Sequence, residues 1–313
     1  MQNGGVTSSP LARSSLLLLA FVAACGGSHA PTETAETLES PTHRIVLHRG
    51  FQPDQTYRFE ATGTNRVRVS TGSPPVPSLS YDQTSRIELV ARETVLETNA
   101  IGQAARTVYD VERLDVVTGD ARRAGARPGQ RIEVVAAERA RDVGVTLVGG
   151  TLDPQVRMLL LTVLDVTQAV YTDDHLFGTL TPQSVGSWWS IDPVRVNEAM
   201  LLPGQFSGLG EVSGETTLVA MEWEANLPCA RIDTELRIEG VVLAERIPNF
   251  TPGRGSLHAR FSACYPIDAR LHPRTRRVSQ DFTLGGRVRG PNGYLPADLA
   301  AHVELTTTRT PLP

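Results

Sequence analysis

Residues 229–239, CARIDTELRIE, and residues 257–264, LHARFSAC, decide the fold. In the first stretch Arg231, Asp233, Glu235, Arg237 and Glu239 alternate with Ala230, Ile232, Leu236 and Ile238. In the second, Leu257, Ala259, Phe261 and Ala263 alternate with His258, Arg260 and Ser262. A period of two places one set on a buried sheet face and the other in water. Antiparallel pairing with Cys229 opposite Cys264 predicts Asp233 facing Arg260, Glu235 facing His258 and Glu239 facing Arg254. On the other face it predicts Ile232 against Phe261 and Leu236 against Leu257.

The same alternation runs through most of the chain. On one parity Tyr57, Phe59, Val67 and Val69 stand against Arg58, Glu60, Arg66 and Arg68, and a phase slip near Val90 predicts a bulge. Further β-rich runs are expected at 107–117, 131–137, 143–148, 188–196, 212–224, 231–242, 278–289 and 299–307. The expected fold is mainly β, a curved antiparallel sheet or half-barrel. One segment departs from it. Asp153-Pro154 is a helix cap followed by proline at the first helical position. From there to Val170 the residues Val156, Leu159, Leu160, Val163, Leu164, Val166 and Val170 fill one arc. The spacing predicts one long helix over 153–170, about 25 Å long, packed on the concave face of the sheet.

The N-terminus reads as an address. Arg13 is the one charged residue before Cys25, and the apolar run 16–24 is too short to span a bilayer. Val22-Ala23-Ala24-Cys25-Gly26 resembles the lipobox of bacterial lipoproteins. That resemblance implies a signal peptide over 1–24, cleavage before Cys25, and acylation of Cys25, palmitate included. With Gly26 rather than Asp after the cysteine, it also implies a periplasm-facing, lipid-anchored place at the outer membrane. Residues 25–42 hold Glu33, Glu36 and Glu39 among Thr, Ser, Ala and Pro, with Leu38 the one large apolar side chain. This composition predicts a disordered tether. The body, 43–313, is expected to be a single β-rich domain, with a division into two similar halves, 43–172 and 173–313, left open.

Composition narrows the function. The 313 residues carry 30 basic and 34 acidic side chains, a net charge of -4, which does not describe a global nucleic-acid binder. Every basic residue is Arg, so Schiff-base and P-loop lysine chemistry is excluded. With Cys25 acylated, Cys229 and Cys264 remain, and an exported protein with two leftover cysteines is a disulfide candidate. No CxxC or neighbouring His supports a metal pair instead.

Catalytic signatures are weak. There is no GxSxG, and 204–208 (GQFSG) has the wrong spacing for a nucleophile elbow. No HExxH occurs. Asp173-Asp174-His175 reads as solvated turn residues, and Arg122, Arg123 and Arg127 as a solvated basic loop. Trp188 and Trp189 are adjacent, so a strand would send them to opposite sides. Together with Leu160 and Val163, one of them is expected to line an apolar pocket.

Leu47-His48-Arg49-Gly50-Phe51 with Tyr57-Arg58-Phe59, followed later by Leu180-Thr181-Pro182, Val185-Gly186 and Trp188, resembles a group of uncharacterised bacterial envelope lipoproteins. Ser187 stands where an Asp often follows the second glycine of that pattern. The resemblance implies an envelope address and a β fold but no activity. The expected role is therefore non-enzymatic: a membrane-anchored binding or structural lipoprotein, without cofactor or metal, whose partner is the membrane and whose ligand is apolar or lipid-like. An envelope hydrolase with a non-standard site is the alternative.

Overall fold

The computed structural model describes residues 41–72, 79–137, 142–164, 170–201, 206–244, 249–290 and 293–313. In chain order the elements are β1 (Thr56–Thr71), β2 (Leu79–Thr98), β3 (Ala104–Thr118), β4 (Ala121–Ala126), β5 (Arg131–Val135), β6 (Gly144–Leu147), α1 (Pro154–Val163), α2 (Asp173–Phe177), β7 (Trp188–Ser190), α3 (Pro193–Leu201), β8 (Phe206–Gly208), β9 (Val212–Glu224), β10 (Leu227–Leu243), β11 (Phe250–Pro266), β12 (Thr275–Gly290) and β13 (Gly293–Pro311). They form one open antiparallel sheet in the order β6-β5-β3-β2-β1-β13-β12-β11-β10-β9-β7, with β4 on β3 and β8 on β10. The first and last strands meet in its middle, so the largest sequence separation in the chain is closed by the β1–β13 ladder.

The expected alternation holds along these strands. On β1, Tyr57, Phe59, Ala61 and Gly63 are buried, while Arg58 and Glu60 are exposed. The bulge foreseen near Val90 is present: the β2–β3 register shifts between Val90 and Ala91.

Under one half of the sheet lies a core that includes Phe59, Leu89, Leu114, Ile132 and the α1 residues Val156, Leu159, Leu160 and Val163. Under the other lies a second core with Phe177, Trp189, Leu218, Ile232, Phe261 and Phe282. Leu305, on the central strand β13, packs against both.

The long helix is corrected. α1 begins as expected, with the Asp153 carboxylate accepting from the backbone N–H of Gln155 and Val156, but it ends at Val163, and Leu164 is extended. Thr162 and Val163 are β-branched and no glycine cap follows, so the segment has little intrinsic drive to continue. Val170 is exposed, and 165–169 lie outside the described residues. α1 packs closely on β1: a Cβ on Gly63 would come within 2.5 Å of a Val163 methyl. Two short helices accompany it. The expected strand 188–196 is β7 followed by α3, where Asp192 caps the backbone N–H of Val194 and Arg195. Asp192-Pro193 repeats the Asp153-Pro154 signal.

The β10–β11 register is also corrected. Cys229 faces Pro266 and Arg231 faces Cys264, two residues from the expected pairing. A shift of two preserves both faces. It sets Ile232 against Ala263 and Leu236 against Ala259, large against small, and brings Ile238 rather than Leu236 opposite Leu257. Cys229 and Cys264 are bonded diagonally, their Cα atoms 5.5 Å apart. Glu235 lies opposite Arg260 and takes a 2.7 Å hydrogen bond with His258. Asp233 accepts from Ser262, and Glu239 lies opposite Ser256 rather than Arg254.

Candidate functional site

Cys25 and the signal segment lie outside the described residues. The four residues expected to line an apolar pocket are not brought together. Leu160 and Val163 are buried in one core and Trp189 in the other, where its indole N–H donates to the Phe177 carbonyl at 2.7 Å. Trp188 is 64% exposed at the sheet edge.

What gathers polar groups instead is the segment from His43 to Gln55, which straps the two halves together. Its backbone holds onto Gln183 through His43 and onto Gly102 through Phe51. The Asp174 carboxylate accepts from the backbone N–H of Leu47 and His48, and the His175 ring bonds the Thr172 hydroxyl. The Asp-Asp-His turn is thus a clamp for the strap, a role that only a contact 127 residues away reveals. Arg49 is buried, donates to the carbonyls of His48 and Pro266, and lies over the Tyr265 ring. Burial lowers its pKa, and its Nε has no hydrogen-bond partner.

Beside the strap is a cleft of about 530 Å³ lined by Gly50, Gln52, Gln55, Asp268, Arg270 and Leu271 among others. Its polar groups are largely engaged. The Asp268 carboxyl pKa is held at about 2 by hydrogen bonds from the Arg270 side chain and backbone, and the Gln55 side-chain Oε1 accepts from the Tyr57 hydroxyl and the Gln52 backbone N–H. Phe51, between two cleft residues, stacks on His272 at 3.9 Å.

Beneath Phe51 is a buried ion pair. Arg309 on β13 donates to Glu93 on β2 at 2.7 and 3.1 Å, across the intervening strand β1. Tyr109 donates its hydroxyl to the same carboxylate at 2.9 Å. The guanidinium lies over Phe59 at 4.9 Å and Phe51 at 5.5 Å. Burial pushes the nearby Tyr57 hydroxyl up to about 12. Glu93, Tyr109 and Arg309 did not stand out in the sequence, because each sits singly in an alternating strand.

The arginines expected in a basic loop are on β4 and its flank. Arg122 pairs with Asp115 and Glu88, and Arg123 with Asp153. Among the described residues no three His, Cys, Asp or Glu side chains gather as a metal set, and no helix is long and apolar enough to cross a membrane.

No family model matches the chain, and no curated protein does. Among solved structures there is a similarity to a double mutant of the vaccine antigen transferrin binding protein B from Haemophilus parasuis Hp5. That structure is 7% identical and covers 83% of this chain and 78% of its own, at a TM-score of 0.08. A score of that size carries no argument about role.

Proposed function

We propose that this chain is an exported lipoprotein, anchored to the outer membrane by acyl groups on Cys25 and facing the periplasm, whose β-sheet body has a binding or structural role rather than a catalytic one. The observation that carries the reading is the Cys229–Cys264 disulfide in the folded body. Such bridges persist in oxidising compartments outside the cytoplasm, which agrees with a leader over 1–24 that ends in Val22-Ala23-Ala24 before Cys25. A non-catalytic role is supported by the way the ionisable groups are used. Asp268, Asp174, Glu93 and Asp153 each hold a partner within the fold.

The test is the anchor. Metabolic labelling with a radioactive fatty acid should mark the wild-type protein and not Cys25→Ser, and the variant should leave the membrane fraction. Unchanged labelling and partitioning of Cys25→Ser would overturn the proposal. Native mass spectrometry of protein taken from its own membrane tests the apolar-ligand version, for which a retained lipid mass is the expected signal.

A further inference from the structure

We infer that the segment Leu176–Ile191, through Leu180, Val185 and Trp188, docks the folded body onto the lipid bilayer that holds its anchor; this rests on the acylation of Cys25 proposed above. The segment is sixteen residues long and contains no charged side chain, in a chain whose composition of 20% charged residues would place about three there. It exposes apolar side chains: Leu180 is fully exposed, and Val185 and Trp188 are 47% and 64% exposed. Single exposed apolar residues are ordinary; here three fall within nine positions of an uncharged segment.

The place where the tether joins the body identifies the occupant. His43 pairs with Gln183 in both directions, at 2.7 and 2.8 Å. The chain coming from Cys25 therefore meets the folded body between Leu180 and Val185. Seventeen residues lie between Cys25 and His43, so an acylated Cys25 keeps this loop within about 60 Å of the membrane. At that tether length docking is intramolecular, and a weak contact suffices. Tryptophan and leucine suit the boundary between headgroups and acyl chains, and the segment carries no charge of its own to desolvate. The acids flanking the segment are turned to the fold: Asp174 holds the strap and Asp192 caps α3.

The experiment uses the full-length acylated protein reconstituted into phosphatidylethanolamine and phosphatidylglycerol vesicles with brominated acyl chains, followed by flotation and tryptophan emission. The expected result is flotation with quenched emission. The quenching should be lost in Trp188→Phe, retained in Trp189→Phe and Trp223→Phe, and reduced in Leu180→Asp, which floats and melts like the wild type because Leu180 touches solvent on all sides. Flotation with no quenching, or with quenching that survives Trp188→Phe, overturns the docking and leaves the anchor standing. Protein that fails to float overturns both. A Trp188 emission that shifts with protein concentration in the absence of vesicles assigns the surface to a second copy and overturns the bilayer as its occupant.

Discussion

Replacing Glu93 with Gln isolates the energetics of the buried pair that links β2 to β13. The two side chains are almost completely buried, and both guanidinium bonds and the Tyr109 hydroxyl converge on one carboxylate. The amide keeps the shape and one acceptor oxygen but loses the charge, so the buried Arg309 cation loses the Glu93 counter-charge. Breaking a buried pair from one side costs about 3–5 kcal/mol. Exchanging both partners for apolar residues of similar volume, Glu93→Leu with Arg309→Met, removes the stranded charge but deprives Tyr109 of its acceptor, at about 1–3 kcal/mol. Adding Tyr109→Phe removes that debt too, so the triple variant should recover most of the loss. Equilibrium urea denaturation at neutral pH gives each free energy, and the m-value reports whether the compact state is unchanged. The reasoning fails if Glu93→Gln costs less than about 1 kcal/mol, or if the triple variant is no more stable than the single one. Either result would mean that water reaches the pair.

Three further outcomes are expected. Leu160→Asp sets a carboxylate in a fully buried site of the α1 core and should destabilise by several kcal/mol; an unchanged melting temperature would remove α1 from the core. Replacing Cys229 and Cys264 together by Ala opens a link between positions 35 residues apart, for which the chain-entropy model gives about 4 kcal/mol, read as a lower midpoint in non-reducing urea titrations. For His302, burial alone would lower the pKa, but hydrogen bonds with Asp281 and Glu304 outweigh it and raise the folded value above 6.5. Its contribution is present in full below that unfolded value and is lost as pH rises through the folded one. His302→Gln should therefore lower stability at pH 5.5 and have no effect at pH 9, as followed by thermal unfolding across that range.

Local chemistry made several features legible without coordinates. Alternation assigns each strand residue to a face, because successive side chains point to opposite sides whatever the strand pairs with. Asp153-Pro154 marks the start of α1, because a cap and a fixed φ act within a few residues. The bulge near Val90 shows as a break in phase. The cysteine pairing followed from there being two cysteines left on facing strands.

Tertiary structure decided the rest. Register is a matter of packing between strands, and a shift of two residues leaves the alternation of faces intact, so the pattern at 229–264 was compatible with both pairings until Ala259 and Ala263 had to fit against Leu236 and Ile232. The end of α1 is a marginal propensity that surroundings settle. Trp188 and Trp189 were separated as neighbours on a strand must be, but only the β7–β9 pairing determined which one is buried. The Glu93–Arg309 pair joins residues 216 apart, and the strap is clamped by a carboxylate 127 residues away. Such contacts leave no periodic trace in the chain, because their free energy arises only once the sheet has closed β1 against β13 and excluded water from the groups between them.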